Sequence, residues 1–382
     1  MSEFSDKALL PAGMCDVLPP DAEVEAKATE SLIAFFSGLG YQRVKPPLIE
    51  FEESLLTGSG AAMNAQTFRL MDPISQKMMG VRADMTLQVA RIATTRMPHY
   101  QRPLRLCYSG QVLRVLGSQM RPERQFGQVG TELIGTDNPA ADAEIIVMAA
   151  DAIKNLGIDS LTVDLGLPTL VPAVLSGLQL DSESETTLRL ALDRKDAAAV
   201  EGLSSELGRD RTDLLLAMLA STGPAKSAME ALLDLSFSSE ASVERDKLSL
   251  VIDRIKMAAP DLPLTIDPVE SRGLEYHTGV TFTFFATGVR GELGSGGRYI
   301  TGGDEHGTGM TLFMDTIMRA LPQGQADSRI YLPPGISNSD AKRLRDEGWI
   351  TINGFDTGAD DASEAKRMDC GYLFTNGETR KL

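Results

Sequence analysis

Between Leu104 and Gly135 the chain reads LRLCYSGQVLRVL, breaks at SQMRPE, and resumes as RQFGQVGTELIG. Two such runs joined by a short polar break predict a pair of long antiparallel strands. A sheet of this kind buries a face only if another layer covers it. The segment that follows, ADAEIIVMAADAIKNLG, carries the spacing of a strong amphipathic helix and ends at Gly157.

The rest of the chain fits a mixed α/β (α+β) architecture. Upstream, residues 23–39 place Val24, Ala28, Leu32, Phe35, Phe36 and Leu39 on one helical face, with Gly40 as the stop. YQRVKPPLIEF predicts a strand interrupted at Pro46 and Pro47, which lack the backbone donor a ladder needs. FRLMDPISQKMMGVRAD predicts a hairpin turning at Asp72-Pro73, and MTLQVARIATTR a helix. From Pro168 to Ala258 the composition shifts to Ala, Leu, Ser and acids in short helical patterns. Strand residues return at LPLTIDP, at GVTFTFFA and around Arg298-Tyr299, and RIYLP through GYLFTNG alternates strand and helix. The expected organisation is one domain from 1–167 and 259–324, a helical insertion over 168–258, and a short α/β tail over 325–382.

Charge and composition weigh against several function classes. The 382 residues carry a net charge of -16, and such a surface repels a phosphate backbone. The three cysteines, Cys15, Cys107 and Cys370, have neither disulfide-framework nor zinc-site spacing and suit a reducing compartment. The first residues, MSEFSDKALLPAGM, lack the apolar core of a signal peptide, and no run approaches the ~18 apolar residues of a membrane span. The expectation is a soluble, cytoplasmic protein that engages no membrane.

The richest stretch for chemistry is Ser271 to Tyr299: SRGLEYHTG, an apolar run, then GELGSGGRY. Arg272, Glu275, Tyr276 and His277 concentrate charge and hydrogen-bonding groups before a strand. The glycines of GSGGRY, read as a turn, permit close backbone approach to a small ligand. Two more clusters stand out. Arg82, Asp84 and Thr86 fall at a strand-to-helix junction, where Asp84 or Thr86 serves equally well as a helix cap or as a ligand contact. Arg114, Gln128 and Glu132 fall on the long strand pair, with Gln128 and Glu132 on one face because they are four apart. An amide and a carboxylate opposite an arginine fit a zwitterion or imidazole pocket, and fit a surface ion pair as well. No histidine has metal-ligand spacing with another, and no phosphate loop or dinucleotide fingerprint appears. The residues themselves point to a pocket for a small polar ligand, without a metal or cofactor.

In their order these pieces resemble the catalytic domain of class II histidyl-tRNA synthetases, from about Pro11 to about Leu321. The resemblance rests on LPAGMCDVLP, on RVKPPLIEF at motif 1, on RADMT at the amino-acid loop, and on the long strand pair at motif 2. RGLEYHTG and GSGGRY are similar to the two histidine-specific motifs. It implies a class II antiparallel sheet with flanking helices and a histidine site built from Asp84, Thr86, Arg114, Gln128, Glu132, Arg272, Tyr276 and Tyr299. His277 stands where the family has a second tyrosine. The departures fall on the nucleotide side. Leu116 occupies a motif 2 position that is acidic in the enzymes, and the residue aligned with the motif 3 arginine is Thr316. Loss of one such preorganised contact costs about 10²–10³-fold in rate.

With its short acidic tail in place of an anticodon-binding domain, the chain is similar to the synthetase-like regulatory subunits of ATP phosphoribosyltransferase. That resemblance implies no active site of its own, no cofactor, no tRNA, and a class II homodimer. It further implies a hetero-oligomer with short-form catalytic subunits, four of each, and feedback inhibition by L-histidine in the first step of histidine biosynthesis. The alternatives are a divergent histidyl-tRNA synthetase-like amino-acid ligase and a stand-alone histidine-binding protein.

Overall fold

Residues 9–56, 63–118, 121–270, 277–322, 329–356 and 360–382 are described by the computed structural model, which divides into two units, Met1–Leu321 and Pro322–Leu382. In the first unit Leu104–Leu113 runs antiparallel to Gln125–Ile134 over its whole length, from Leu104 opposite Ile134 to Leu113 opposite Gln125. The antiparallel order continues through His306–Phe313, Gly294–Ile300, His277–Ala286 and Leu161–Gly166. Gln42–Arg43 adds a parallel edge on one side, and Leu264–Asp267 with Gly223–Pro224 extends the other.

Side chains alternate across this sheet and so feed two separate cores. On one face Val129, Leu133, Val163, Leu165, Phe282, Phe284, Met310 and Leu312 are buried with residues of the helices Asp21–Gly38, Pro139–Asn155 and Ser239–Ala258. Burial of each such side chain contributes roughly 1.5–3 kcal/mol. The helix Pro139–Asn155 starts where Asn138 accepts a hydrogen bond from the Ala140 amide at 2.9 Å, with Pro139 as its first residue. Its first turn is also gripped by Arg298, which donates to the Asp142 carboxylate at 2.9 Å and to the carbonyls of Thr136 and Asn138, both at 3.0 Å. On the opposite face Leu106, Tyr108, Val112, Phe126 and Phe313 pack against Met85, Val89 and Ala93, the last two on the helix Thr86–Thr95. That helix is reached from a three-stranded sheet of Ile49–Phe51, Met78–Val81 and Phe68–Met71.

One expectation needs correcting. GSGGRY is not a turn: Gly294–Ile300 is a strand paired on both sides. Its glycines answer a packing demand, since a methyl group on Gly297 would lie 2.6 Å from the His277 ring.

Residues 168–258 fold mainly as helices, from Leu170–Val174 to Ser239–Ala258. Asp181, Asp196 and Ser238 cap three of them by accepting from the amides of Ser184, Ala199 and Ala241. Their buried Leu188, Leu192, Leu215, Leu232 and Leu248 belong to the same core as the sheet.

The second unit has a four-stranded sheet in the order Ile350–Asn353, Arg329–Leu332, Tyr372–Thr375, Glu378–Lys381, with the last strand antiparallel. The helix Asn338–Asp346 puts Leu344 against Ile330 and Phe374, while Asp361–Arg367 puts Ala365 against Tyr331 and Leu373. Among the described residues no helix is long and apolar enough to cross a membrane.

Candidate functional site

Asp84 lies in the turn between Met78–Val81 and the helix Thr86–Thr95. Its Oδ1 accepts from the Thr86 amide at 2.9 Å and its Oδ2 from Gln128 Nε2 at 2.8 Å. The Gln128 Oε1 in turn accepts from the Met85 amide at 3.1 Å. Asp84 therefore holds the first amide of the helix and also lines a cavity. Gln128 is fully buried and stands behind Asp84, where it fixes the carboxylate.

The cavity has a volume of about 500 Å³. Its wall includes Asp84, Thr86, Arg114, His277, Tyr299 and Gly309. Pairing brings the strand residues together: His277 lies opposite Tyr299, Gly297 opposite Gly309, and Gly309 opposite Glu132. Glu132 sits directly beneath Gly309, where the position of an added methyl group would overlap its carboxylate. Only glycine in the wall leaves room for that acid. Glu132 accepts from the Tyr299 hydroxyl at 2.8 Å and from Tyr108 at 3.1 Å. The Tyr108 hydroxyl also meets Thr86 at 3.1 Å and Thr311 at 2.9 Å.

Burial dominates the electrostatics here. It pushes the Glu132 carboxyl up to about 8, against the opposing pull of the Tyr299, Thr86 and Tyr108 hydroxyls, so the acid is mostly protonated at neutral pH. The Tyr108 phenol is raised well above its usual value by burial and by Glu132 and Asp84. Arg114 is lowered by burial, partly offset by Asp84. It follows the end of Leu104–Leu113, so it lies just past the strand on which the sequence placed it. Its guanidinium rests 5.1 Å from the Phe126 ring centre and donates to the Ala83 carbonyl at 3.3 Å.

The structure thus gathers Asp84, Thr86, Arg114, His277 and Tyr299 in one wall, with Gln128 and Glu132 directly behind it. Arg272 and Tyr276 lie outside the described residues. Leu116 is exposed, and Thr316 is buried in the helix Met314–Ala320, where its hydroxyl accepts from Arg319 at 3.0 Å. Neither is among the residues lining the cavity. Arg82 is a staple, donating to the carbonyls of Gln111 and Pro46. Sequence reasoning missed Tyr108, Thr311, Glu292 and Gly309. The alternation that puts Tyr108 in phase with Leu104 and Leu106 was the available signal for the first of these. Among the described residues no group of His, Cys, Asp and Glu is placed to hold a metal ion.

A six-strand antiparallel core, with helices on both faces and a cavity on the side of Thr86–Thr95, defines a histidyl-tRNA synthetase-like protein. The family model described as histidyl-tRNA synthetase matches residues 13–317. A Bacillus halodurans structure titled ATP phosphoribosyltransferase regulatory subunit/histidyl-tRNA synthetase superposes with a TM-score of 0.81 at 23% identity, covering 94% of this chain and 96% of that one. Within that class the chain belongs to the ATP phosphoribosyltransferase regulatory subunit family. A protein of that name from Rhodospirillum centenum is 54% identical over 376 residues, 98% of this chain and 96% of its own length. Another from Paramagnetospirillum magneticum is 52% identical over 97% of each chain.

Proposed function

We propose that this chain is the non-catalytic regulatory subunit of an ATP phosphoribosyltransferase and that it binds histidine in the cavity described above. The observation that carries the reading is a fixed carboxylate, Asp84, sharing a small cavity wall with a partly buried guanidinium, Arg114. Opposite charges in one enclosure recognise a zwitterion, and charge-assisted hydrogen bonds are the strong ones. The α-ammonium group of histidine meets Asp84 and its carboxylate meets Arg114. The imidazole lies against Tyr299, His277 and Thr86, with Glu132 reached through the Tyr299 hydroxyl. The near-complete identity span with the named relatives supports the subunit assignment.

In this reading the partner is a short-form catalytic subunit in a cytoplasmic hetero-oligomer, four of each chain, built on class II homodimers. The net charge of -16 disfavours tRNA as a ligand. Histidine inhibits because it binds the inactive assembly better than the active one, a coupling of about 1–3 kcal/mol in typical effectors.

Mixing the chain with a short-form phosphoribosyltransferase tests the assignment. Activity appears on mixing and falls when histidine is added; no complex and no gain in activity would overturn the subunit role. Calorimetry tests the site separately. Asp84→Asn and Arg114→Ala each weaken histidine binding at least tenfold, and unchanged affinity removes them from the pocket.

A further inference from the structure

Behind the Arg114 end of the cavity, against Glu292 and Phe313 of its wall, lies a side chain that the functional reading does not use. Arg121 is 6% exposed although it belongs to the connection between the two long strands. Its guanidinium carbon lies 3.8 Å from the Phe313 ring centre and 4.9 Å from that of Phe126. Its edge faces acids: Nε donates to Asp315 Oδ2 at 3.0 Å, and Nη1 lies 3.7 Å from Glu292 Oε1. Glu292 and Phe313 are themselves in the cavity wall. The backbone holds Arg121 in this place, because its amide donates to Ser118 Oγ at 2.9 Å and its carbonyl accepts from the Ser118 amide.

A flat cation on an aromatic face with carboxylates along its edge is a satisfied ligand-like arrangement. We infer that Arg121 is a built-in occupant of an aromatic, acid-edged slot at this end of the cavity, and that it determines specificity by excluding flat, donor-bearing rings. With Arg121 in place, the cavity ends at Arg114 and Glu292 and takes a ligand of amino-acid size. With the guanidinium removed, the slot joins the cavity and presents Phe313, Phe126, Asp315 and Glu292 to a planar cationic ring. The inference concerns the shape of the cavity and does not depend on which amino acid the other end holds.

The probe is 2-aminobenzimidazole, a flat ring whose edge is a cyclic guanidine, titrated by calorimetry into the full-length protein. The wild type shows no saturable binding, and Arg121→Ala binds the probe saturably. Millimolar guanidinium chloride, too dilute to unfold the protein, displaces the probe from the variant because it competes for the same slot. Should Arg121→Ala fail to fold, Arg121→Ser decides by the same readings, since it also takes both the charge and the planar face out of the slot beside Asp315 and Glu292. Equal binding by wild type and variant, no binding by a folded variant, or binding that guanidinium does not displace would each overturn the inference.

Discussion

Glu132 is buried completely, and its carboxyl titrates near 8 in the folded chain against an ordinary 4.5. The raised value means that the native state holds a proton the unfolded chain has released between those two pH values. Stability therefore falls as pH rises from about 4.5 to about 8 and is level beyond either end. Each pKa unit corresponds to about 1.36 kcal/mol. From pH 5 to pH 8 the expected loss from this one acid is roughly 3–4 kcal/mol, a large share of the total stability of a typical domain. Replacement by glutamine keeps the shape and keeps an acceptor for one tyrosine, while the other hydroxyl rotates to accept. Urea unfolding of wild type and Glu132→Gln at pH 5, 6, 7 and 8 measures the difference directly, because all other titrating groups cancel between the two proteins. The wild type loses roughly 3–4 kcal/mol more than the variant over this interval. Parallel curves, differing in slope by less than about 1 kcal/mol across it, would refute the assignment of a buried, protonated acid at this position.

Two further substitutions probe the frame around the site. Arg298→Ala strands the Asp142 carboxylate, which is buried on the helix Pro139–Asn155, and is expected to cost about 3–5 kcal/mol in the same unfolding assay. Gly309→Ala drives a methyl group into Glu132; it is expected to destabilise by about 1–3 kcal/mol and to weaken binding at the cavity, read by unfolding and by calorimetry with histidine.

The sequence made the antiparallel strand pair legible because apolar runs broken by SQMRPE have few other solutions. It also placed Gln128 and Glu132 on one face, and the strand Gln125–Ile134 has them there. What it could not supply was depth. Residue type and spacing do not distinguish a group in a cavity wall from one standing behind it, so Gln128 looked like a ligand contact and is a brace for Asp84. GSGGRY looked like a turn because glycine is most common there; the cause at Gly297 is the His277 ring on the neighbouring strand, a pairing fixed only by the whole sheet. Arg121 was invisible for a similar reason. An arginine in a polar connection normally faces water, and only the folded loop carries it onto Phe313.

Neighbouring positions on Gly294–Ile300 point in opposite directions: Tyr299 into the hollow, and Arg298 into the start of a helix on the far side. The strand therefore behaves like a rivet with a head on each surface. A ligand that displaces Tyr299 by dragging its backbone must carry the first turn of Pro139–Asn155 with it, or else break a buried ionic contact whose loss costs several kcal/mol.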